Sequence, residues 1–145
     1  MTSLPETLAL VVNTLQANRL FGDVTVVEEK IFSDEQFALK VRAQMVNGWN
    51  LQVYLYHNRG HHDYAYQVFG DAAIMRWDNK EDCPGLDNFP HHHHGSDGTI
   101  AASTLSGEPV TDLPKLFNVL ESLVFPPVDK PMGGRIRKLR KRNSS

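Results

Sequence analysis

The stretch FALKVRAQMVNGWNLQVYL, residues 37–55, alternates apolar and polar residues on both sides of an Asn47-Gly48 turn. Phe37, Leu39, Val41, Ala43 and Met45 form one apolar row, interleaved with Lys40, Arg42 and Gln44. Trp49, Leu51, Val53 and Leu55 form a second, interleaved with Asn50, Gln52, Tyr54 and Tyr56. A period of two means strands with one buried face, and a short connection makes them antiparallel neighbours. The turn decides the register. A two-residue loop sets Met45 opposite Asn50 and mixes the faces. A three-residue loop, Val46-Asn47-Gly48, pairs Met45 with Trp49 and keeps both apolar rows together. It puts Gly48 in the left-handed conformation of a bulged hairpin.

The same period extends outward. Val24 to Phe32, Tyr64 to Phe69 and Ala72 to Trp77 read as strands, and Thr99 to Ala102 as a short one. A two-residue Gly70-Asp71 turn pairs Val68 with Ala73, Gln67 with Ile74 and Tyr66 with Met75. Tyr64, Tyr66, Val68, Ala73, Met75 and Trp77 then face the core. Gln67 and Arg76 become diagonal neighbours on the other face, with Asp78 following on the side of Arg76. Residues Leu4 to Arg19 read as a helix capped by Thr2 or Ser3, with Leu8, Val11, Val12 and Leu15 as its apolar stripe. A second helix runs from about Leu113 to Val124, capped by Thr111 or Asp112, with Leu113, Leu116, Phe117, Leu120 and Leu123 inward. The predicted class is α+β: an N-terminal helix, a five- to six-stranded antiparallel meander, and a C-terminal helix packed on one face. Residues 1–130 are expected to form one domain, and 131–145 a flexible basic tail behind Met132-Gly133-Gly134. The uncovered face of the sheet is free for a ligand or for a second copy of the chain, so a homodimer is one assembly this layout allows.

A length of 145 residues with 41% hydrophobic and 22% charged residues suits one globular core. No apolar run approaches the ~20 residues that span a bilayer. The N-terminus lacks a basic n-region and a small-residue cleavage site, and a single cysteine, Cys83, excludes an internal disulfide. These features predict a cytoplasmic protein with no membrane partner. The net charge is −2, yet RIRKLRKR near the C-terminus carries six basic residues, so the rest of the chain holds −8. Such a tail either attracts a polyanion such as RNA, with Arg137, Lys138, Arg140 and Lys141 as the phosphate contacts, or simply solubilises the chain end.

The least ordinary segment is FPHHHHG, residues 89–95. A purification tag fits poorly, because tags sit at a terminus and are longer. A metal site is open: imidazoles are good ligands, and HNRGHHD brings His57, His61, His62 and Asp63 as a second segment, though the spacing matches no standard zinc pattern. Acid–base chemistry is open too, because the ordinary imidazole pKa of about 6.5 lies nearest neutrality. Cleavage of RNA without a metal needs a base for the 2′-hydroxyl, an acid for the leaving oxygen and a cation for the phosphorane. His91, His92 and His94 can supply the first two, Arg76 the charge, and Asp78 can orient an imidazole. On that reading no cofactor is expected. An ordinary surface ion pair also accounts for Arg76 and Asp78, and a structural loop for the histidines. Tyr54, Tyr56, Tyr64 and Trp77 can stack bases, but on strands such residues usually pack a core.

Three blocks carry a family resemblance: Tyr64-Ala65-Tyr66-Gln67, Met75-Arg76-Trp77-Asp78-Asn79, and Asp87-Asn88-Phe89-Pro90 with the histidine run and Gly95. Together with the helix–strands–helix order, they resemble the TumE-type toxins of toxin–antitoxin modules over about residues 4–124. This chain has Gln67 where the family pattern has histidine, lacks a Pro-His-His after Asn79, and places Gly95 directly behind His94. The resemblance implies a growth-inhibiting toxin neutralised by a co-encoded antitoxin, often a helix-turn-helix protein. RNA cleavage is the mechanism usually proposed for such toxins. A non-enzymatic protein that binds nucleic acid or a partner is the alternative.

Overall fold

The structure is a computed structural model that describes residues 3–126. The elements run α1 (Leu4–Gln16), β1 (Phe21–Ser33), β2 (Gln36–Met45), β3 (Asn50–Asn58), β4 (His61–Phe69), β5 (Ala73–Asp78), β6 (His92–His94), β7 (Ile100–Ala102) and α2 (Pro109–Val124). The strands form one antiparallel sheet in chain order, β1 to β7. It is the expected α+β meander with a helix at each end of the chain and a strand count higher than five to six. The tail, including Arg137, Lys138, Arg140 and Lys141, lies outside the described residues.

The central hairpin has the register that its alternation requires. Gln44 pairs with Asn50 and Ala43 with Leu51, the Met45 N–H donates to the Trp49 carbonyl at 2.8 Å, and Gly48 sits at φ 95°. Leu39, Val41, Ala43, Leu51, Val53 and Leu55 are fully buried on one face. Both helices pack there: Val11 and Leu15 of α1 join Leu113, Leu116, Phe117 and Leu120 of α2 in the same cluster. Fully burying each of these side chains is worth roughly 1.5–3 kcal/mol. Arg42, Gln44, Gln52 and Gln67 occupy the other face, which no helix among the described residues covers.

The helix ends differ in how well local rules place them. Ser3 caps α1 in a capping box: its hydroxyl accepts from the Glu6 N–H at 3.3 Å, and its own N–H donates to Glu6 Oε1 at 3.1 Å. Helix α2 starts at Pro109, four residues before Leu113, with Glu108 as N-cap and no side-chain cap. Neither Thr111 nor Asp112 caps it, because proline at the first position already suits a helix start and Asp112 is committed elsewhere. Its carboxylate is fully buried and accepts from the Ser106 N–H, the Ser106 hydroxyl, the Gly107 N–H and the Tyr66 hydroxyl. Leu123 is exposed; the apolar stripe runs from Leu120 to Val124, which packs partly on the core.

Two further expectations are corrected. In β4–β5 the connection has three residues and a bulge follows it, so Phe69 pairs with Ala73 but Val68 with Met75, Gln67 with Arg76 and Tyr66 with Trp77. Ile74 is left over between Met75 and Ala73, and it packs against the core near Gly70 and Trp49. The ladder slides by two residues. The core face keeps its members, except that Ala73 is exposed and Gln67 stands directly opposite Arg76. The histidine run, read as a loop, contains a strand. Asp78 pairs with His92, Trp77 with His93 and Arg76 with His94, so the run satisfies the free edge of β5.

Candidate functional site

Strand alternation divides the four histidines. His93 pairs with Trp77 on the helix-covered face and stacks on its ring, with centroids 4.6 Å apart and planes at 6°. His91, just before β6, also reaches that side, where Nδ1 meets the Tyr64 hydroxyl at 2.9 Å. Burial, the largest cause in each case, pushes both rings below the ordinary imidazole pKa. His92 and His94 stand on the opposite face, across from Asp78 and Arg76. Two adjacent cross-strand pairs therefore bring four expected site residues into one cluster, since such partners have Cβ atoms roughly 4.5–5.5 Å apart. His91 is not brought to it.

Within the cluster the contacts are short. Arg76 Nε donates to Asp78 Oδ2 at 2.7 Å. Asp78 Oδ1 lies 3.1 Å from His92 Nε2, and Oδ2 lies 3.9 Å from His94 Nε2. The two Nε2 atoms are 3.0 Å apart. His92 Nδ1 is 3.0 Å from the Pro90 carbonyl, an acceptor only, so this nitrogen carries a hydrogen and donates. In the neutral ring that leaves a lone pair on Nε2, which accepts from an Nε2–H of His94.

Asp78 and His92 are buried because the segment after β5 turns back over them. The Lys80 N–H donates to Asp78 Oδ1 at 3.0 Å, and Asp82 Oδ1 comes within 3.5 Å of His92 Nε2. His94 and Arg76 remain about one-third exposed at the wall of a cavity of about 520 Å³. Gln67, Ile74, Lys80, Asp82 and Ser96 line the same cavity. Sequence reasoning missed Lys80 and Asp82; only their position two and four residues past Asp78 hinted at them. Asn79 and Asn88 have framework roles. Asn79 bridges the Tyr64 N–H and the His62 carbonyl, and the Asn88 amide donates to the Ser103 carbonyl.

Among the described residues, possible metal ligands converge in two groups, Asp78–His92–His94 and Asp82–Cys83–His92. Neither draws on the second histidine segment. His57 and His62 pair across β3 and β4, with rings 4.1 Å apart, and His57 also packs against the Phe37 ring at a tilt of 36°. Burial first, then the neighbouring His62, pushes His57 down to about 4. The pH dependence follows. Above about pH 6.5 His57 is neutral folded or unfolded. As the pH falls from there to about 4, the unfolded chain takes up a proton that the folded chain refuses. Stability should therefore decline across that window, and the decline should shrink in His57→Phe. Parallel melting curves of the two proteins against pH would show this; identical slopes would contradict it.

No curated protein and no solved structure matches the chain. A family model described as Toxin TumE matches residues 11–124, from α1 to the end of α2, and so spans the whole sheet and the Arg76–Asp78–His92–His94 cluster. The chain belongs to the TumE toxins, and is thus the toxin component of a toxin–antitoxin module whose partner is an antitoxin.

Proposed function

We propose that this toxin cleaves RNA without a metal, using His94 and Arg76 at the cavity wall, with His92 and Asp78 as positioning residues behind them. The observation that carries the reading is the 3.0 Å contact between the His92 and His94 Nε2 atoms, with a buried carboxylate beside it. With its Nε2–H directed at His92, His94 keeps its Nδ1 lone pair for a substrate proton. A ribose 2′-hydroxyl gives its proton to that nitrogen as its oxygen attacks the adjacent phosphorus. The His94 Nε2 proton passes to His92, and Asp78 stabilises the resulting imidazolium. Arg76 uses its free guanidinium nitrogens to offset charge on the phosphorane. Lys80 is placed to protonate the departing 5′-oxygen. The products are a 2′,3′-cyclic phosphate and a 5′-hydroxyl. His91, held on the other face by Tyr64, has no part in this scheme.

The basic run with Arg137, Lys138, Arg140 and Lys141 is the proposed phosphate tether, adding salt-dependent affinity without choosing a sequence. The site of action is the cytoplasm, and the antitoxin is of the helix-turn-helix kind. No helix among the described residues is long and apolar enough to cross a membrane.

The test is a single-stranded RNA oligonucleotide incubated with purified toxin in EDTA. Fragments ending in a cyclic phosphate are expected, and a single 2′-deoxy substitution should protect the bond 3′ of it. Growth arrest with intact RNA would favour the non-enzymatic alternative, a toxin that binds nucleic acid or a partner.

A further inference from the structure

We propose that Asp78 Oδ1, His92 Nε2 and His94 Nε2 also form a binding site for a first-row transition metal ion such as Zn²⁺, and that the bound ion switches the proton relay off. The second half rests on the ribonuclease reading; the first does not.

Three features identify the site. Two of the three donor pairs already stand close to tetrahedral spacing. Zinc holds nitrogen and oxygen ligands at about 2.0–2.2 Å, which sets neighbouring tetrahedral ligands about 3.3 Å apart. Here the two nitrogens are 3.0 Å apart and Asp78 Oδ1 is 3.1 Å from His92 Nε2, while the carboxylate contact of His94 Nε2 is to Oδ2 at 3.9 Å, so the part-exposed His94 ring must turn inward to close the third side. The supporting contacts are those of a prepared metal site. The Pro90 carbonyl fixes the His92 tautomer so that Nε2 points at the shared position, while Arg76 holds Asp78 by Oδ2 and the Lys80 N–H orients Oδ1, which keeps a second lone pair for an ion. Finally, burial removes competing water from two of the ligands, because His92 and Asp78 have almost no exposed surface, whereas the cavity beside His94 leaves a fourth position open.

With its Nδ1–H given to Pro90, a neutral His92 has no hydrogen for Asp78, so Oδ1 stands 3.1 Å from a nitrogen that gives it no hydrogen bond. A positive centre between them relieves this contact, and two imidazoles with one carboxylate select a borderline cation over Mg²⁺ or Ca²⁺. An ion there uses the same lone pair on His92 that the relay needs, so metal and proton transfer exclude one another. Zinc would act as an inhibitor of the toxin.

The experiment uses the full chain purified without a metal-affinity column. Calorimetric titration with ZnCl₂ should show one strong site, and Co²⁺ should give the visible absorption of a tetrahedral nitrogen–oxygen site. His92→Ala should weaken binding by at least about 100-fold, since loss of even a supporting contact weakens metal sites 10–100-fold. If that variant fails to fold, His94→Ala, which removes a part-exposed ring, gives the same test. Substituting His61 and His62 by alanine should leave the stoichiometry unchanged. Absence of zinc binding, or equal binding by His94→Ala, would overturn the site. Addition of Zn²⁺ should stop RNA cleavage and EDTA should restore it. Cleavage that requires zinc would overturn the exclusion, as would cleavage indifferent to saturating zinc. If no RNA is cut under any condition, the ribonuclease reading falls and takes the exclusion with it, while the titration still decides the site.

Discussion

Asp112→Ala should destabilise the fold by about 3–5 kcal/mol, the range seen when one partner of a buried charged network is removed. The carboxylate accepts from the Ser106 N–H and hydroxyl at 2.9 Å each, from the Gly107 N–H at 2.7 Å and from the Tyr66 hydroxyl at 2.8 Å. Tyr66 and Asp112 are fully buried, so water cannot replace the lost acceptor without opening the core. Each stranded donor costs about 1–3 kcal/mol, and partial relaxation keeps the total below the sum. The contact also joins β4 of the sheet to the start of α2. Gly107 lies between them at φ 92°, and a Cβ there would come within 3.1 Å of the Tyr64 ring. A domain stable by about 5–15 kcal/mol loses a large share of its margin. Urea denaturation should show a lower midpoint with an unchanged slope. A loss under about 1 kcal/mol would mean that the site refills with water or repacks, contrary to its burial.

His94→Ala should lower the rate of RNA cleavage by about 10²- to 10⁴-fold, the usual contribution of a positioned proton-transfer group. The ring is about one-third exposed, so the folded state should lose little. The informative control is His91→Ala, three residues away in the same run. It removes a contact to Tyr64 on the opposite face and should leave cleavage near the wild-type rate. Equal losses in both variants would show that the run acts as a structural block and not through one face. Toxicity on induction should follow the same order, with His94→Ala tolerated and His91→Ala still arresting growth.

The legible parts of this protein are those that short-range rules control. Residues 37–55 display two apolar rows that share a face only with a three-residue turn, and the hairpin forms in that way. The start of α1 is likewise readable to within one residue, as Thr2 or Ser3, and Ser3 caps it. In the β4–β5 hairpin, alternation fixed the faces but not the pairing: a ladder displaced by two residues buries nearly the same side chains. The displaced ladder leaves Ile74 unpaired and packed against the core, where it and Trp49 of another hairpin both approach Gly70, and no local rule points to that arrangement. Asp112 was misread for a similar reason. A carboxylate near a helix start looks like a cap locally, and its partner Tyr66 is 46 residues away.

The histidine run displayed its side chains to sequence reading but concealed their geometry. By itself the sequence determined the class of fold, the polar character of one sheet face and the residues available for chemistry, because alternation and side-chain type are local properties. Tertiary structure alone decided that residues 92–94 pair with the free edge of β5. That pairing assigns His92 and His94 to Asp78 and Arg76, and sends His91 and His93 to the other side. The reason is that a strand's partner is set by which edge is left unpaired after everything else has packed, and no window of sequence contains that information.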